Sequence, residues 1–454
     1  MNERLFGTSG IRGLANLEVS PSLAYEVGLS LADQLREGRV VIGYDTRTSS
    51  QMLLFAIVSG VCSGGLDATI LGMIPTPTLA YLSRAFQARA GVMITASHNP
   101  PDYNGIKLFT GGGIAYNRKL QQEMEQAVRS GKSRIVDWKS IGEIEFSDES
   151  ERYVKMITDN VVLEKQWNIV VDTGCGAASL IAPEVLRLLG CKVASINAQS
   201  DGTFPGRSPE PSPENLAELS GIVRILKADM GIAYDGDADR VVFIDERGEF
   251  IEQDRALGAF ACHALKKRKG AIVVPVDTSL SVEETVRQSG GRLIRTKVGD
   301  VYVANAVKKY GAVFGGEPCG AWITPEFHWC PDGILHSVLF LKALEESGEK
   351  PSRFVSRVPR YHLLRRKITC PEQSKNKAMA EIERNLSRHL SKSSKPIRVD
   401  GLGFQIEDGW MLIRPSGTEP ILRVTSEAAS LRSAEKLLKI AVSIVENSIG
   451  AVSK

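Results

Sequence analysis

Asn168-Ile169-Val170-Val171-Asp172-Thr173 is an apolar, β-branched run that ends on an aspartate and a threonine, and the chain writes it three times. The other copies are Arg39-Val40-Val41-Ile42-Gly43-Tyr44-Asp45-Thr46 and Ala271-Ile272-Val273-Val274-Pro275-Val276-Asp277-Thr278. Continuous apolarity marks a strand buried on both faces, and such strands belong to mainly parallel sheets covered by helices. Each run is followed by a helical pattern, a glycine (Gly65, Gly190 or Gly291) and a second apolar run, which is the order of a βαβ unit. An Asp-Thr pair at a strand end suits the N-cap of the helix that follows. The simplest account is one α/β domain occurring three times.

Residues 363–454 break the pattern. Helical periodicity over 374–390 and 430–449 flanks strand-like runs at 397–399, 411–414 and 421–424, which reads as a small α+β domain closing over the rest. A chain of 454 residues is too long for one hydrophobic core. Polar stretches at 147–151, 249–254 and 358–364 are the natural joints. They divide the chain into 1–150, 151–252 and 253–362, three α/β domains, and 363–454, the α+β domain.

The composition is 43% hydrophobic and 24% charged, with a net charge of only +3. That excludes a nucleic-acid or membrane footprint, and no apolar run approaches the roughly 18 residues of a membrane span. The first residues carry no apolar signal region, so the cytosol is the expected compartment. The basic run Lys266-Lys267-Arg268-Lys269 closes a helical pattern, where the helix dipole favours cations. Seven cysteines are scattered without a Cys-x-x-Cys pair, as reduced thiols. Cys319, His328 and Cys330 lie close in sequence but lack a fourth ligand, so zinc is not expected.

Two motifs carry chemistry. Thr95-Ala96-Ser97-His98-Asn99-Pro100-Pro101 follows the short apolar run Gly91-Val92-Met93-Ile94. This places Ser97 on an exposed turn that two prolines stiffen. A serine so held can act as a nucleophile or carry a phosphoryl group. Asp235-Gly236-Asp237-Ala238-Asp239-Arg240 sets three carboxylates at alternate positions, which repel unless a cation gathers them, and hard oxygen ligands suit Mg²⁺. An EF-hand would explain Glu246 at the twelfth position, but Arg240 stands where that loop needs glycine, and residues 230–234 and 241–244 are strand-like. Arg414-Pro415-Ser416-Gly417-Thr418-Glu419-Pro420 offers a guanidinium, hydroxyls and a permissive glycine to a phosphate. Gly7-Thr8-Ser9-Gly10-Ile11-Arg12-Gly13 is similar in type. Gly174-Cys175-Gly176-Ala177-Ala178-Ser179 imitates a dinucleotide fingerprint but lacks the third glycine, and Asn197 stands where an acidic ribose ligand is expected. It reads as a helix N-terminus. No Walker A sequence occurs.

Together with Gly315-Gly316-Glu317-Pro318-Cys319-Gly320, these loops resemble, in kind and in order, those of the α-D-phosphohexomutase superfamily, over nearly the whole chain. The resemblance implies three similar mixed-sheet α/β domains plus a C-terminal TBP-like α+β domain around a central cleft. It implies that Ser97 carries the phosphoryl group and joins Asp235, Asp237 and Asp239 on Mg²⁺. Arg12, His98, Lys107 and Arg240 would line the reacting centre. Lys297, Asp300, Glu317 and Cys319 would face the sugar, and Arg414, Ser416, Gly417 and Thr418 would hold the non-reacting phosphate. The substrate would be a small hexose or hexosamine phosphate, with a hexose 1,6-bisphosphate as intermediate and activator, in a monomer or homodimer. The sugar loop departs from the common Gly-Glu-x-Ser-Gly-His, having Cys319 and Ala321 at the Ser and His positions. Lys297-Val298-Gly299-Asp300 resembles the form in phosphoglucosamine mutases of the archaeal type. The resemblance thus points to interconversion of glucosamine 6-phosphate and glucosamine 1-phosphate. A phosphomannomutase/phosphoglucomutase is the alternative, and a sugar-phosphate phosphatase, with water as acceptor, a more remote one.

Overall fold

The three Asp-Thr runs are the central strands of three separate sheets. The structure, a computed structural model, describes residues 5–389, 397–406, 409–416 and 420–452. The first sheet comprises β1 (Ile11–Leu14), β2 (Arg39–Tyr44), β3 (Asp67–Met73), β4 (Ala90–Ile94), β5 (Tyr103–Thr110) and β6 (Ile144–Phe146), in the order β1-β5-β4-β2-β3-β6. The second holds β7 (Asn168–Asp172), β8 (Lys192–Ile196), β9 (Met230–Tyr234) and β10 (Val241–Ile244), in the order β10-β9-β7-β8. The third holds β11 (Ala271–Pro275), β12 (Arg292–Thr296), β13 (Phe314–Gly316) and β14 (Trp322–Ile323), in the order β12-β11-β13-β14.

The repeat goes deeper than the strand sequences. In each sheet the Asp-Thr strand pairs in parallel on both sides: β2 with β3 and β4, β7 with β8 and β9, β11 with β12 and β13. One of those neighbours then turns back into an antiparallel strand: β4 into β5, β9 into β10 and β13 into β14. The sheets are therefore mixed, and all three present the same parallel-to-antiparallel turn.

None of the three aspartates caps the helix after it, contrary to the sequence expectation. Helix Ser50–Ser63 starts beyond a short loop after Asp45, and Ser279, not Asp277, caps helix Leu280–Gln288. The intervening loops leave the Asp45 and Asp172 carboxylates facing Arg47 and Arg207 instead.

The fourth sheet is wholly antiparallel. It runs β15-β18-β17-β16 and comprises β15 (His362–Thr369), β16 (Leu402–Ile406), β17 (Gly409–Pro415) and β18 (Ile421–Ala428). Helices Lys375–His389 and Leu431–Val452 flank it, and Leu390 lies outside the described residues. The runs at 411–414 and 421–424 fall inside β17 and β18. The run at 397–399 is not a strand, because Ile397 makes only an isolated bridge to Gly403. β15 begins within the polar stretch read as a joint. Its charges suit an edge strand, whose outer side faces water.

The second and third domains share one hydrophobic core running from Tyr153 to Val358, whereas the first and fourth each have a main core of their own, and smaller clusters join Cys330 to the first domain and Ile114 to the third. At the shared core, buried Tyr153 donates to both carboxylate oxygens of buried Asp332, at 2.8 and 2.9 Å. Asp332 also accepts from Leu335 N to cap helix Gly333–Ser347, and lies 2.7 Å from His328 Nε2. His328 is thus engaged by a carboxylate. Among the described residues only Asp235, Asp237 and Asp239 form a cluster able to hold a metal. Tyr153→Phe leaves a buried carboxylate short of a donor and should lower the unfolding free energy by about 1–3 kcal/mol in chemical denaturation. An unchanged transition midpoint would contradict that role.

Candidate active site

The three equivalent turns carry the chemistry-bearing motifs. The β4–β5 turn holds Ser97, the β9–β10 turn holds Asp235, Asp237 and Asp239, and the β13–β14 turn holds Glu317 and Cys319. Residues 97 and 235–239 pack directly on one another. Ser97 is therefore fully buried, not on an exposed turn, because the second domain lies over it. Its Oγ donates to Asp235 Oδ2 at 2.6 Å and stands 3.3 Å from His98 Nδ1. Its backbone is left-handed, with φ +52°.

The acidic turn lies between strands on both sides, not between helices. Single oxygens of its three aspartates fall within 4.8 Å of one another. Burial, and then Asp239 and Asp237, push the Asp235 carboxyl well above its usual range. Burial acts the same way on Asp237, but Lys107 and a 2.6 Å bond from Thr76 Oγ1 outweigh it and hold this group below the usual range. Asp237 Oδ1 and Asp239 Oδ1 are buried without any hydrogen-bond partner. Orphaned, converging carboxylate oxygens are the donor set of a hard divalent cation, so the residues present fit one.

Cations close the centre. Lys107 Nζ lies 2.7 Å from both Asp237 Oδ2 and Asp239 Oδ2, and though burial disfavours its charge, these partners raise its pKa above the ordinary lysine value. Arg12 Nη1 donates to Asn99 Oδ1 at 3.1 Å. Arg240 donates its backbone N–H to Asp235 Oδ1 and faces Glu210 at 3.4 Å and Asp239 at 3.9 Å. Burial, and then Arg240 and Arg12, drive the His98 pKa far below its usual value, so the imidazole is neutral. Its Nε2 lies 3.8 Å from Glu210.

The third domain meets this centre through Gly320, whose φ of +89° and place against Val241 admit only glycine: a Cβ there would sit 2.1 Å from Val241 O. Glu317 accepts from Gly299 N at 2.8 Å, and Cys319 Sγ lies 3.7 Å from Glu317 Oε2. Asp300 accepts from Ser9 Oγ of the first domain at 2.9 Å. Lys297 extends over the Tyr302 ring at 5.9 Å. From the fourth domain, Arg414 reaches Asp400 at 3.1 Å and Asp277 at 3.9 Å, and Asp400 also accepts from Val298 N. Ser416 is buried, and its carbonyl accepts from buried Lys375 Nζ at 2.7 Å. Gly417 and Thr418 lie outside the described residues.

Thr76, Glu210, Asp400 and Lys375 belong to no motif in the sequence. Only tertiary packing brings them in, and an isolated residue in a loop or helix gives no signal. Ser9 and Asn99 sat inside motifs already singled out.

Residues 3–134, 151–248 and 252–361 match alpha/beta/alpha domains I, II and III of the family described as phosphoglucomutase/phosphomannomutase, and residues 367–445 match its C-terminal domain. The chain belongs to this family. A probable phosphoglucosamine mutase of Pyrococcus abyssi is 43% identical over 451 residues, covering 99% of each chain. One of Methanothermobacter thermautotrophicus is 43% identical over 449 residues, 98% of this chain and 99% of the relative. The crystal structure of a phosphoglucomutase/phosphomannomutase family protein from Burkholderia thailandensis superposes with a TM-score of 0.86 at 26% identity, covering 99% of this chain and 97% of that one. No helix among the described residues is long and apolar enough to cross a membrane.

Glu317 gives this phosphohexomutase site a pH signature. Burial, and then Asp300, raise its pKa from 4.5 to about 7. A carboxyl raised on folding contributes stability below its unfolded value and loses it as pH climbs through the folded one. Glu317→Gln fixes the neutral state. The melting temperature of the variant relative to the parent should therefore rise between pH 4.5 and about 7 and then level off. A difference independent of pH would refute this.

Proposed function

We propose that this phosphohexomutase interconverts glucosamine 6-phosphate and glucosamine 1-phosphate through a phosphoserine at Ser97. The observation that carries the reading is the 2.6 Å contact between Ser97 Oγ and Asp235 inside a buried three-carboxylate site. Asp235, Asp237 and Asp239, with a phosphoryl oxygen on Ser97, would hold Mg²⁺, which neutralises phosphoryl charge when bound. Lys107, Arg12 and Arg240 supply further positive charge to a transfer that depends on positioning and electrostatics. The phosphoryl group leaves Ser97 for one hydroxyl of the hexosamine phosphate, giving a 1,6-bisphosphate. The hydroxyl gives up its proton as its oxygen bonds phosphorus, and Ser97 Oγ takes one up as its own bond to phosphorus breaks, with His98 Nδ1 3.3 Å from that oxygen to relay it. After the bisphosphate turns over, Ser97 takes back the other phosphate. The same bisphosphate, added in trace, would prime unphosphorylated enzyme. Burial of Ser97 keeps bulk water away and favours transfer to sugar over hydrolysis.

Glu317, Asp300, Lys297 and Cys319 are assigned to the sugar side, and Arg414, Ser416, Gly417 and Thr418 to the distal phosphate. A protonated C2 amine offers the two acids a charge-assisted bond that the neutral hydroxyl of glucose or mannose does not. The names of the curated relatives agree with this choice. A hydroxyl and an ammonium facing the same carboxylate differ by roughly 1–3 kcal/mol. kcat/KM should accordingly be about 5- to 150-fold higher for glucosamine 1-phosphate than for glucose or mannose 1-phosphate. A preference for either neutral sugar overturns the substrate and leaves the mutase.

Mass spectrometry should find phosphate on the Ser97 peptide, and Ser97→Ala should lose at least ~100-fold in rate. Excess EDTA should abolish turnover and added Mg²⁺ restore it. Full activity of Ser97→Ala, or in EDTA, would remove the phosphoserine or the metal respectively.

A further inference from the structure

We infer that Arg47 is a positioning residue for phosphoryl transfer: its guanidinium sets the backbone that aims Ser97, and the second domain holds the guanidinium in place. The inference rests on the phosphoserine reading of Ser97.

Arg47 is almost wholly buried, and one planar fork serves the whole turn. Nη2 donates to Ser97 O at 2.8 Å and Asn99 O at 2.6 Å, while Nη1 donates to Pro100 O at 2.5 Å and Tyr103 O at 2.8 Å. Nε donates to Asp45 Oδ2 at 3.1 Å. Asp45 in turn accepts from Thr95 Oγ1 at 2.7 Å and Ser50 Oγ at 3.0 Å. The aspartate at the end of β2 thus orients the arginine, and the arginine gathers carbonyls on both sides of Pro100. Ser97 needs such a hold. A non-glycine residue at φ +52° is strained by about 1–2 kcal/mol, and surrounding contacts must impose it.

The second domain closes the other side. The Phe204 ring centroid stands 5.2 Å from Arg47 Cζ. At Gly202 a Cβ would fall 2.3 Å from Thr46 O and 2.6 Å from Thr48 N, so the 201–204 segment presses on the backbone next to Arg47. The same device recurs in the second domain. Asp172, at the equivalent strand end, accepts from Arg207 Nε at 2.8 Å, and Arg207 Nη2 donates to Tyr234 O at 2.7 Å, immediately before Asp235. Each Asp-Thr strand end flanking the centre therefore orients an arginine that grips a reacting turn.

Arg47→Lys keeps the charge and loses the fork. Arg47 has no hydrogen bond or ion pair to the sugar loop or to Asp235, Asp237 and Asp239, so kcat should fall roughly 10- to 100-fold while KM for the hexosamine phosphate and the Mg²⁺ requirement stay within about threefold. Rates are taken per mole of Ser97-phosphorylated enzyme, which removes any loss from poor folding. Phe204→Leu should show the same split with a smaller fall in kcat, and it carries the test alone if Arg47→Lys does not fold. A kcat within about threefold of the parent, whatever the thermal midpoint, or a KM rise that accounts for the loss, overturns the inference. Ser97→Ala is run beside them. If it retains full activity, the phosphoserine reading has failed, whereas an inactive Ser97→Ala with a fully active Arg47→Lys condemns the positioning role alone.

Discussion

Three buried carboxylates within 4.8 Å of one another are the constraint to which the rest of this site answers. Like charges at such range in a water-poor interior cost several kcal/mol unless countered. Lys107 comes from β5 of the first domain, Arg240 from the acidic turn itself, and Thr76 from the helix after β3. Asp237 Oδ1 and Asp239 Oδ1 remain without hydrogen-bond partners. The electrostatic demand therefore draws the first two domains together at the point where Ser97 is buried, and a divalent cation is the simplest thing to complete it.

The geometry that meets this demand comes from one topological event used three times. A parallel strand beside the Asp-Thr strand turns back as an antiparallel one, and the turn projects from the sheet with both its ends fixed by strand pairing. Rigid ends make short turns precise places to hang reacting groups. The three domains differ in which residues occupy that turn: a serine with a histidine, three aspartates, a glutamate with a cysteine. The second and third domains share a core, while the first adds its turn across polar contacts such as Ser9–Asp300 and Lys107–Asp237.

Much of this was legible in the sequence because the decisive signals are local. Buried parallel strands announce themselves as β-branched runs, and the acidic turn and the Ser-His-Asn-Pro-Pro turn are contiguous. Burial of Ser97 was not legible, since its cover, Asp235 and its neighbours, comes from well over a hundred residues away. The Asp-Thr pairs misled for a related reason. Asp and Thr are good caps in isolation, but Asp45 and Asp172 face arginines supplied by loops that sequence periodicity leaves blank. β15 gives no strand pattern because its run His362–Thr369 carries three consecutive cations, Arg365, Arg366 and Lys367, which suit an exposed edge strand but break the apolar alternation.

The fourth domain is attached differently, and the attachment runs through Arg414. Its apolar contact with the third domain is a small cluster in which Trp410 and Leu412 meet Val276. Polar groups do the rest. Fully buried Glu427 accepts from Ser279 Oγ, Leu280 N and Trp410 Nε1, so a carboxylate of β18 sits at the N-terminus of helix Leu280–Gln288, where the helix dipole favours it. Arg295 covers the Trp410 ring at 5.6 Å, and Asp254, raised to about 6 chiefly by burial, accepts from Ser279 N. A joint made of few apolar and many charged contacts holds through the exclusion of water, since each bond strengthens as the local dielectric falls. Arg414 lies on this same interface, between Asp277 at the end of the third Asp-Thr strand and Asp400. The third copy of the repeat thus also faces an arginine, here one contributed by another domain, though at 3.9 Å it makes no hydrogen bond to it and Asp400 supplies the close contact.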